Sequence, residues 1–219
     1  MDNLFKNSQN EIINVLQIGG MDGISFDPLH KYVKNNNNIK LIVLEPIKEQ
    51  FEKLERNYKD YKNVTCLNYA LDYHDKPRRM FTINTNQNIL TQHFEGQSSF
   101  YNDRNRLGEK YWNENKKPDI YKNIEYSDVK DNLKEEIVNC ITISQLCERY
   151  NIKNINLLQV DTEGYDYHIL NMVLNKLQPE SINFEYNLLP PNELMLTEEL
   201  LKNYSITKGK QDAFCVKKI

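Results

Sequence analysis

Three clusters in this 219-residue chain combine residue types that can hold and activate a small molecule. The first, Val15-Leu16-Gln17-Ile18-Gly19-Gly20-Met21-Asp22-Gly23, is an apolar run entering a turn with three glycines. The second, Leu41-Ile42-Val43-Leu44, ends on Glu45-Pro46. In the third, Leu157 to Asp166, the carboxylates Asp161 and Glu163 leave the end of another apolar run, followed by Gly164. A glycine turn lets backbone approach a ligand, and an acid about 20 residues further on is placed to accept both hydroxyls of a ribose. Acids at the C-terminal end of a buried strand stand where open α/β sheets bind ligands. The three clusters together predict an adenosine-bearing cofactor with a reacting partner beside Asp161 and Glu163.

The turn narrows the choice of cofactor. A G-x-G-x-x-G fingerprint anchored on Gly20 and Gly23 requires glycine at position 18, where Ile18 stands. That departure disfavours a dinucleotide, whose pyrophosphate sits on a helix N-terminus, and suits a cofactor without phosphate. The competing readings are a ligand-free strand-to-helix turn and, for Glu45, a solvated loop acid; their pairing at this spacing favours the ligand. In strand geometry Asp161 and Glu163 project to one side, while Asp166 reads as an acid favouring the next helix N-terminus.

The elements that must position these residues alternate. Strands are predicted at Asn14–Ile18, Lys40–Glu45, Val64–Asn68, Ile155–Val160 and Ser181–Glu185. Helices are predicted after Asp27-Pro28, over Lys48 to Tyr58 (Phe51 and Leu54 inward), over Ser144 to Tyr150, and from Ile169 to Leu177. A closing strand pair is expected near Tyr204–Lys208 and Ala213–Lys217. This order predicts an α/β fold, with a mostly parallel sheet, helices on both faces and an antiparallel C-terminal strand. It forms a single domain over residues 1–219. Between about 73 and 134 only one strand (Arg79–Ile83) stands out of a polar, aromatic-studded tract, read as a lid-like insertion over the site; Ile137–Ile143 resumes the order. His93 in that tract is a candidate base near neutral pH, Ser98-Ser99 candidate contacts, and Phe94, Phe100, Tyr101, Tyr111 and Trp112 packing or stacking aromatics. His30 and His168 read as structural or solvated.

Gln17 to Gly23, Glu45-Pro46, Asn68-Tyr69-Ala70, Thr142 to Leu146 and Asp161-x-Glu163-Gly164 resemble the FkbM family of S-adenosylmethionine-dependent methyltransferases, a Rossmann-like class I fold. Met21 stands where the family usually has asparagine. The resemblance implies S-adenosylmethionine as cofactor, held by Gln17, Gly19, Gly20, Asp22, Gly23, Glu45, Pro46, Asn68, Ala70 and Asp161. It also implies methyl transfer to a hydroxyl of a sugar, glycan or related metabolite. Asp161 would face the sulfonium and orient or deprotonate the acceptor, with Glu163 as second candidate. A divalent ion on Asp161 or Glu163 is the less favoured route, since no dedicated metal cluster stands in the sequence.

Composition bounds the rest. A net charge of -3 lacks a nucleic-acid footprint, and no apolar stretch approaches the roughly 20 residues of a membrane span. The four cysteines, Cys66, Cys140, Cys147 and Cys215, form no C-x-x-C pair, which predicts reduced thiols in a cytoplasmic protein with a small-molecule or glycan substrate and no nucleic-acid or membrane partner. Two further readings are a non-catalytic cofactor-binding or assembly module and, disfavoured by Ile18, a nucleotide-dependent oxidoreductase.

Overall fold

The computed structural model describes residues 1, 4–5, 11–84, 94, 96–103, 107–109, 112 and 121–218. Seven strands form one sheet: β1 (Ile13–Ile18), β2 (Ile39–Leu44), β3 (Val64–Leu67), β9 (Leu157–Val160), β10 (Ser181–Glu185), β11 (Tyr204–Lys208) and β12 (Asp212–Lys217). Their order is β11-β12-β10-β9-β1-β2-β3, and all are parallel except β12, which runs antiparallel between β10 and β11. From β1 the chain winds outward through β2 and β3, then returns to the other side of β1 as β9. The crevice at such a reversal, beyond the C-terminal strand ends, is where open sheets take ligands.

Strand alternation sends side chains to two cores. Ile13, Val15, Leu41, Val43 and Leu157 bury against Val33 of α1 (His30–Asn35) and Leu54 and Tyr58 of α2 (Lys48–Tyr58). Leu16, Ile18, Leu158, Val160, Ile182 and Phe184 bury against Leu146 of α4 (Ile143–Arg149) and Ile169, Leu170 and Val173 of α5 (Asp166–Leu174). Each fully buried aliphatic side chain contributes about 1.5–3 kcal/mol relative to exposure. The sheet is therefore covered on both faces, and the expected Rossmann-like α/β architecture with its antiparallel C-terminal strand holds.

The departures have local causes. The helix after Asp27-Pro28 begins only at His30, because the Asp27 carboxylate folds back to accept the Leu29 amide at 2.8 Å. Phe51 is half-buried; Gln50, Leu54 and Tyr58 form the inner face of α2. The expected strand Ile137–Ile143 is split. β7 (Leu133–Val138) pairs with β5 (Arg78–Ile83), which also pairs with β6 (Ser98–Ser99), whereas β8 (Cys140–Ile141) pairs with β4 (Ala70–Leu71). Inside the tract without clear period lies α3 (Tyr126–Asp131), started by a capping box between Glu125 and Asp128. Its acidic cap lacks the Ser or Thr that usually announces a helix start. The last helix is α6 (Pro191–Leu200). Among the described residues no helix is long and apolar enough to cross a membrane.

Candidate active site

A cavity of about 470 Å³ opens beyond the C-terminal ends of β1, β2, β9 and β10, within the roughly 300–1,000 Å³ typical of small-molecule sites. Its floor starts at the glycine turn. A Cβ on Gly19 (φ +86°) would lie 1.8 Å from the Asp161 carbonyl oxygen, and one on Gly20 would lie 2.4 Å from Val43 Cγ2. Gly23 meets Leu54 and Tyr58 in the same way. These glycines are thus required by protein packing around the turn. Gln17, Gly19 and Gly20 line the cavity; Asp22 and Gly23 do not. Burial of Asp22 opposes ionisation, but hydrogen bonds from Ile24 N, Ser25 N and Ser25 Oγ outweigh it and hold its carboxyl below the usual range. These bonds fold the loop.

Glu45 and Pro46 line the cavity where β2 ends. Glu45 is buried and accepts from Met21 N and Ile47 N, both at 2.9 Å, one on each oxygen. It thereby joins the glycine turn to the start of α2. With the Gly20 amide also directed at it, the carboxylate keeps acceptor capacity in principle for a hydroxyl. Asn68 sits outside the lining: its Nδ2 donates to the carbonyls of Glu45 (2.9 Å) and Pro46 (3.0 Å), fixing the β2 end. Ala70 and Leu71 supply the wall expected of that region.

The acidic turn after β9 holds the densest chemistry. Asp161 lines the cavity and is exposed to it. The strand ends at Val160, so β-alternation does not align Asp161 with Glu163; the turn does, with Glu163 at φ +52° and Gly164 at φ +92°. Oxygens of Asp161, Glu163 and Glu185 come within 4.8 Å of one another. Burial, then the neighbouring Glu163, pushes the Asp161 carboxyl well up; burial and the same neighbours also raise Glu185. Like charges this close retain a shared proton. Asp166 is fully buried and accepts from Thr162 Oγ1 (3.0 Å) and Glu185 N (3.3 Å), closing the turn onto β10.

The 96–98 stretch crosses this cleft. Gly96 packs on the Met21 thioether, and Gln97 Nε2 donates to Glu163 Oε1 at 2.5 Å. Ser98 lines the cavity and Ser99 is buried beside it. Phe100 also lines the cavity and carries the Arg78 guanidinium 3.9 Å over its ring. Phe94 and Trp112 stack on each other at 6.0 Å within a separate apolar cluster, so they serve packing. His168 stacks on Tyr165 and meets Tyr101 Oη at 3.1 Å; neither it nor His30 lines the cavity. His93 and Tyr111 lie outside the described residues. Sequence reasoning missed Glu185, Gln159, Gln97, Phe26, Gln211 and Asp212 in the lining.

Residues 17–204 match the methyltransferase FkbM domain, a span that holds every cavity-lining residue except Gln211 and Asp212. The chain belongs to the FkbM methyltransferase family. Its cofactor is accordingly S-adenosylmethionine and its chemistry methyl transfer. A search of curated proteins finds no match. Among solved structures, an rRNA methylase from Streptococcus thermophilus is similar at 7% identity, covering 99% of this chain and 93% of that one with a TM-score of 0.45. A precorrin-6y C5,15-methyltransferase from Geobacter metallireducens is similar at 10% identity over 98% and 87%, with a TM-score of 0.44. A methyltransferase from Pyrococcus furiosus is similar at 13% over 100% and 82%, with a TM-score of 0.41. Likenesses this distant carry no argument about the acceptor.

The cavity of this FkbM domain fits the cofactor on its own terms. Gln17 Oε1 is buried with no hydrogen-bond partner among the described residues, an acceptor suited to an ammonium, and the Glu45 carboxylate is an acceptor of the kind ribose hydroxyls take.

The buried acids also predict an inverted pH dependence for the cofactor-free protein. Burial pushes Glu45 from 4.5 to about 7, and Asp27 and Asp166 from 3.8 to about 6 each. A folded pKa above the unfolded one means that the folded state holds the extra proton. The resulting stability is complete below about pH 4 and is lost as pH rises through about 6 to 7. The melting temperature is therefore expected to be higher at pH 5.5 than at pH 8 in a thermal-shift series. A steady rise across that window would contradict the assignment.

Proposed function

We propose that the chain transfers the methyl group of S-adenosylmethionine to a hydroxyl of a sugar, glycan or related small metabolite. The observation that carries this reading is Asp161: a carboxylate at the end of β9, open to the cavity, abutting the Gly19 turn, with its carboxyl pushed well up by its surroundings and by Glu163. When bound, the cofactor supplies an electrophilic methyl on a sulfonium. The chain's own residues then have three tasks. Glu45 takes the ribose hydroxyls, and Gln17 offers its buried acceptor to the amino group. Gly19 and Gly20 let the turn lie close. Asp161 receives the acceptor's hydroxyl proton on its carboxylate oxygen, with Glu163 held in place by Gln97 as an orienting neighbour.

The three clustered oxygens are also of the kind a divalent cation takes, so the test carries a chelator arm. The enzyme is incubated with methyl-labelled cofactor and a panel of neutral glycosides and small polyols, with and without chelator. Formation of a methyl ether supports the reading. Label found only on nitrogen or carbon, or on none of the acceptors, overturns it. Loss of transfer with chelator assigns the ion a part, and undiminished transfer removes it.

A further inference from the structure

Three amide side chains lie side by side in the middle of the sheet. Gln17 on β1 pairs in register with Gln159 on β9, and Gln159 with Asn183 on β10. Residues so paired stand on strands roughly 4.8 Å apart and send their side chains to the same face. On that face Val15 and Leu157, two residues earlier, belong to the apolar core. All three amides are buried, at 2%, 3% and 4% exposure. Gln17 and Gln159 line the cavity, and Asn183 stands one strand further from β1.

Buried amides are costly unless their polar atoms are paired, and here the pairing is incomplete. Gln17 Nε2 is directed at the Gly19 carbonyl (3.5 Å), and the same amide hydrogen-bonds the Asp27 carboxyl. Both are acceptors. They fix the nitrogen on their side and leave Oε1 buried with no partner among the described residues. Gln159 is held by different neighbours. Its Oε1 accepts from Asn183 Nδ2 at 3.0 Å, and its Nε2 reaches the Val160 carbonyl only at 3.5 Å. An oxygen in place of that nitrogen would set two acceptors against each other, so Asn183 and Val160 together fix the orientation. Nε2 carries two hydrogens, and one long contact leaves donor capacity to spare. The wall thus offers an acceptor on Gln17 next to a donor on Gln159.

An acceptor beside a donor complements an α-amino acid, whose ammonium donates and whose carboxylate accepts. S-adenosylmethionine ends in that group. We propose that Gln159 is a cofactor-binding residue that donates to the carboxylate of the methionine tail, with Asn183 as the positioning residue that turns its amide. The inference rests on the reading of Gln17 as the ammonium's acceptor and is independent of the methyl acceptor. The proton retained among the nearby acids Asp161 and Glu185 lowers the negative charge that the carboxylate meets.

The experiment is calorimetry on the full chain with three ligands. S-adenosylhomocysteine carries the whole tail, its decarboxylated analogue keeps only the amine, and methylthioadenosine has neither charged group. Gln159→Met is expected to weaken S-adenosylhomocysteine about 10- to 100-fold, the span of a hydrogen bond to a charged group, and to leave the other two within about twofold. Asn183→Leu should give the same pattern at about three- to tenfold. The double variant Gln159→Met/Asn183→Leu strands neither partner, which guards the fold, and should match Gln159→Met. Unchanged S-adenosylhomocysteine affinity in Gln159→Met overturns the proposal. Equal weakening of all three ligands overturns it too, by marking a purely structural role. Joint weakening of the two amine-bearing ligands would put Gln159 on the ammonium and likewise sink it. An inert Asn183→Leu removes the positioning role. Gln17→Met tests the underlying reading separately: it should weaken both amine-bearing ligands and spare methylthioadenosine. If it spares all three, the ammonium assignment fails, whatever Gln159 does.

Discussion

Asp161→Asn is expected to lower kcat by about 100- to 10,000-fold, the range spanned by loss of a general base, while S-adenosylhomocysteine affinity stays within a few-fold. Asparagine keeps the shape of the side chain and an acceptor oxygen but cannot take a proton. The fold should not suffer. Asp161 lines the cavity, and its charge is opposed by burial as well as repelled by Glu163, Asp166 and Asp212. Removing that charge relieves Glu163 and Glu185, so the melting temperature should hold or rise. The pH profile separates a base from a bystander. In wild type the rate climbs as the raised Asp161 carboxyl loses its proton, and that ascending limb should vanish in the variant. A kcat within fivefold of wild type, or an unchanged ascending limb, would remove Asp161 from the chemistry.

The second large effect is on folding. In Gly19→Ala the new methyl would stand 1.8 Å from the Asp161 carbonyl oxygen and 2.9 Å from its carbon, both backbone atoms that no rotamer change can move. The φ of +86° adds its own strain. Left-handed backbone costs roughly 1–2 kcal/mol and overpacking about 1–3 kcal/mol, so a loss on the order of 4 kcal/mol is expected. At about 2–4 °C per kcal/mol for a chain of this size, the melting temperature should fall by roughly 8–16 °C. Gly209 provides the control: its notional Cβ meets only the Asp212 carbonyl oxygen, at 3.1 Å. A Gly19→Ala protein melting within about 3 °C of wild type would show that the strand ends are less closely apposed than described.

The regular half of the chain was legible because its signals are local. Ser181–Glu185 and Tyr204–Lys208 appear with the boundaries that alternation and flanking turns imply, and Lys48–Tyr58 reads correctly from its amphipathic spacing. The cavity floor followed as well, since Gln17, Gly19, Gly20, Glu45 and Asp161 sit where strand ends must place them. The partners of individual polar side chains were not legible. Asp22 and Asn68 hydrogen-bond to nearby backbone, and Asp22 also accepts from Ser25 Oγ. Glu185 joins Asp161 only because β10 pairs in parallel with β9, a long-range fact with no local trace. Phe26 was equally hidden, since a positive φ at a non-glycine residue leaves no pattern of residue types.

The abutment of Gly19 on Asp161 also bears on how chains of this kind diversify. With no space for even a methyl between these strand ends, the distance from turn to carboxylate is fixed like a gauge block, and mutations that alter it are removed with the fold. Gln211 and Asp212 are exposed and take no part in that backbone contact, and substitutions at exposed positions ordinarily change stability by no more than about 0.5 kcal/mol. A lineage can therefore sample new molecules at the mouth freely while inheriting the point of delivery unchanged.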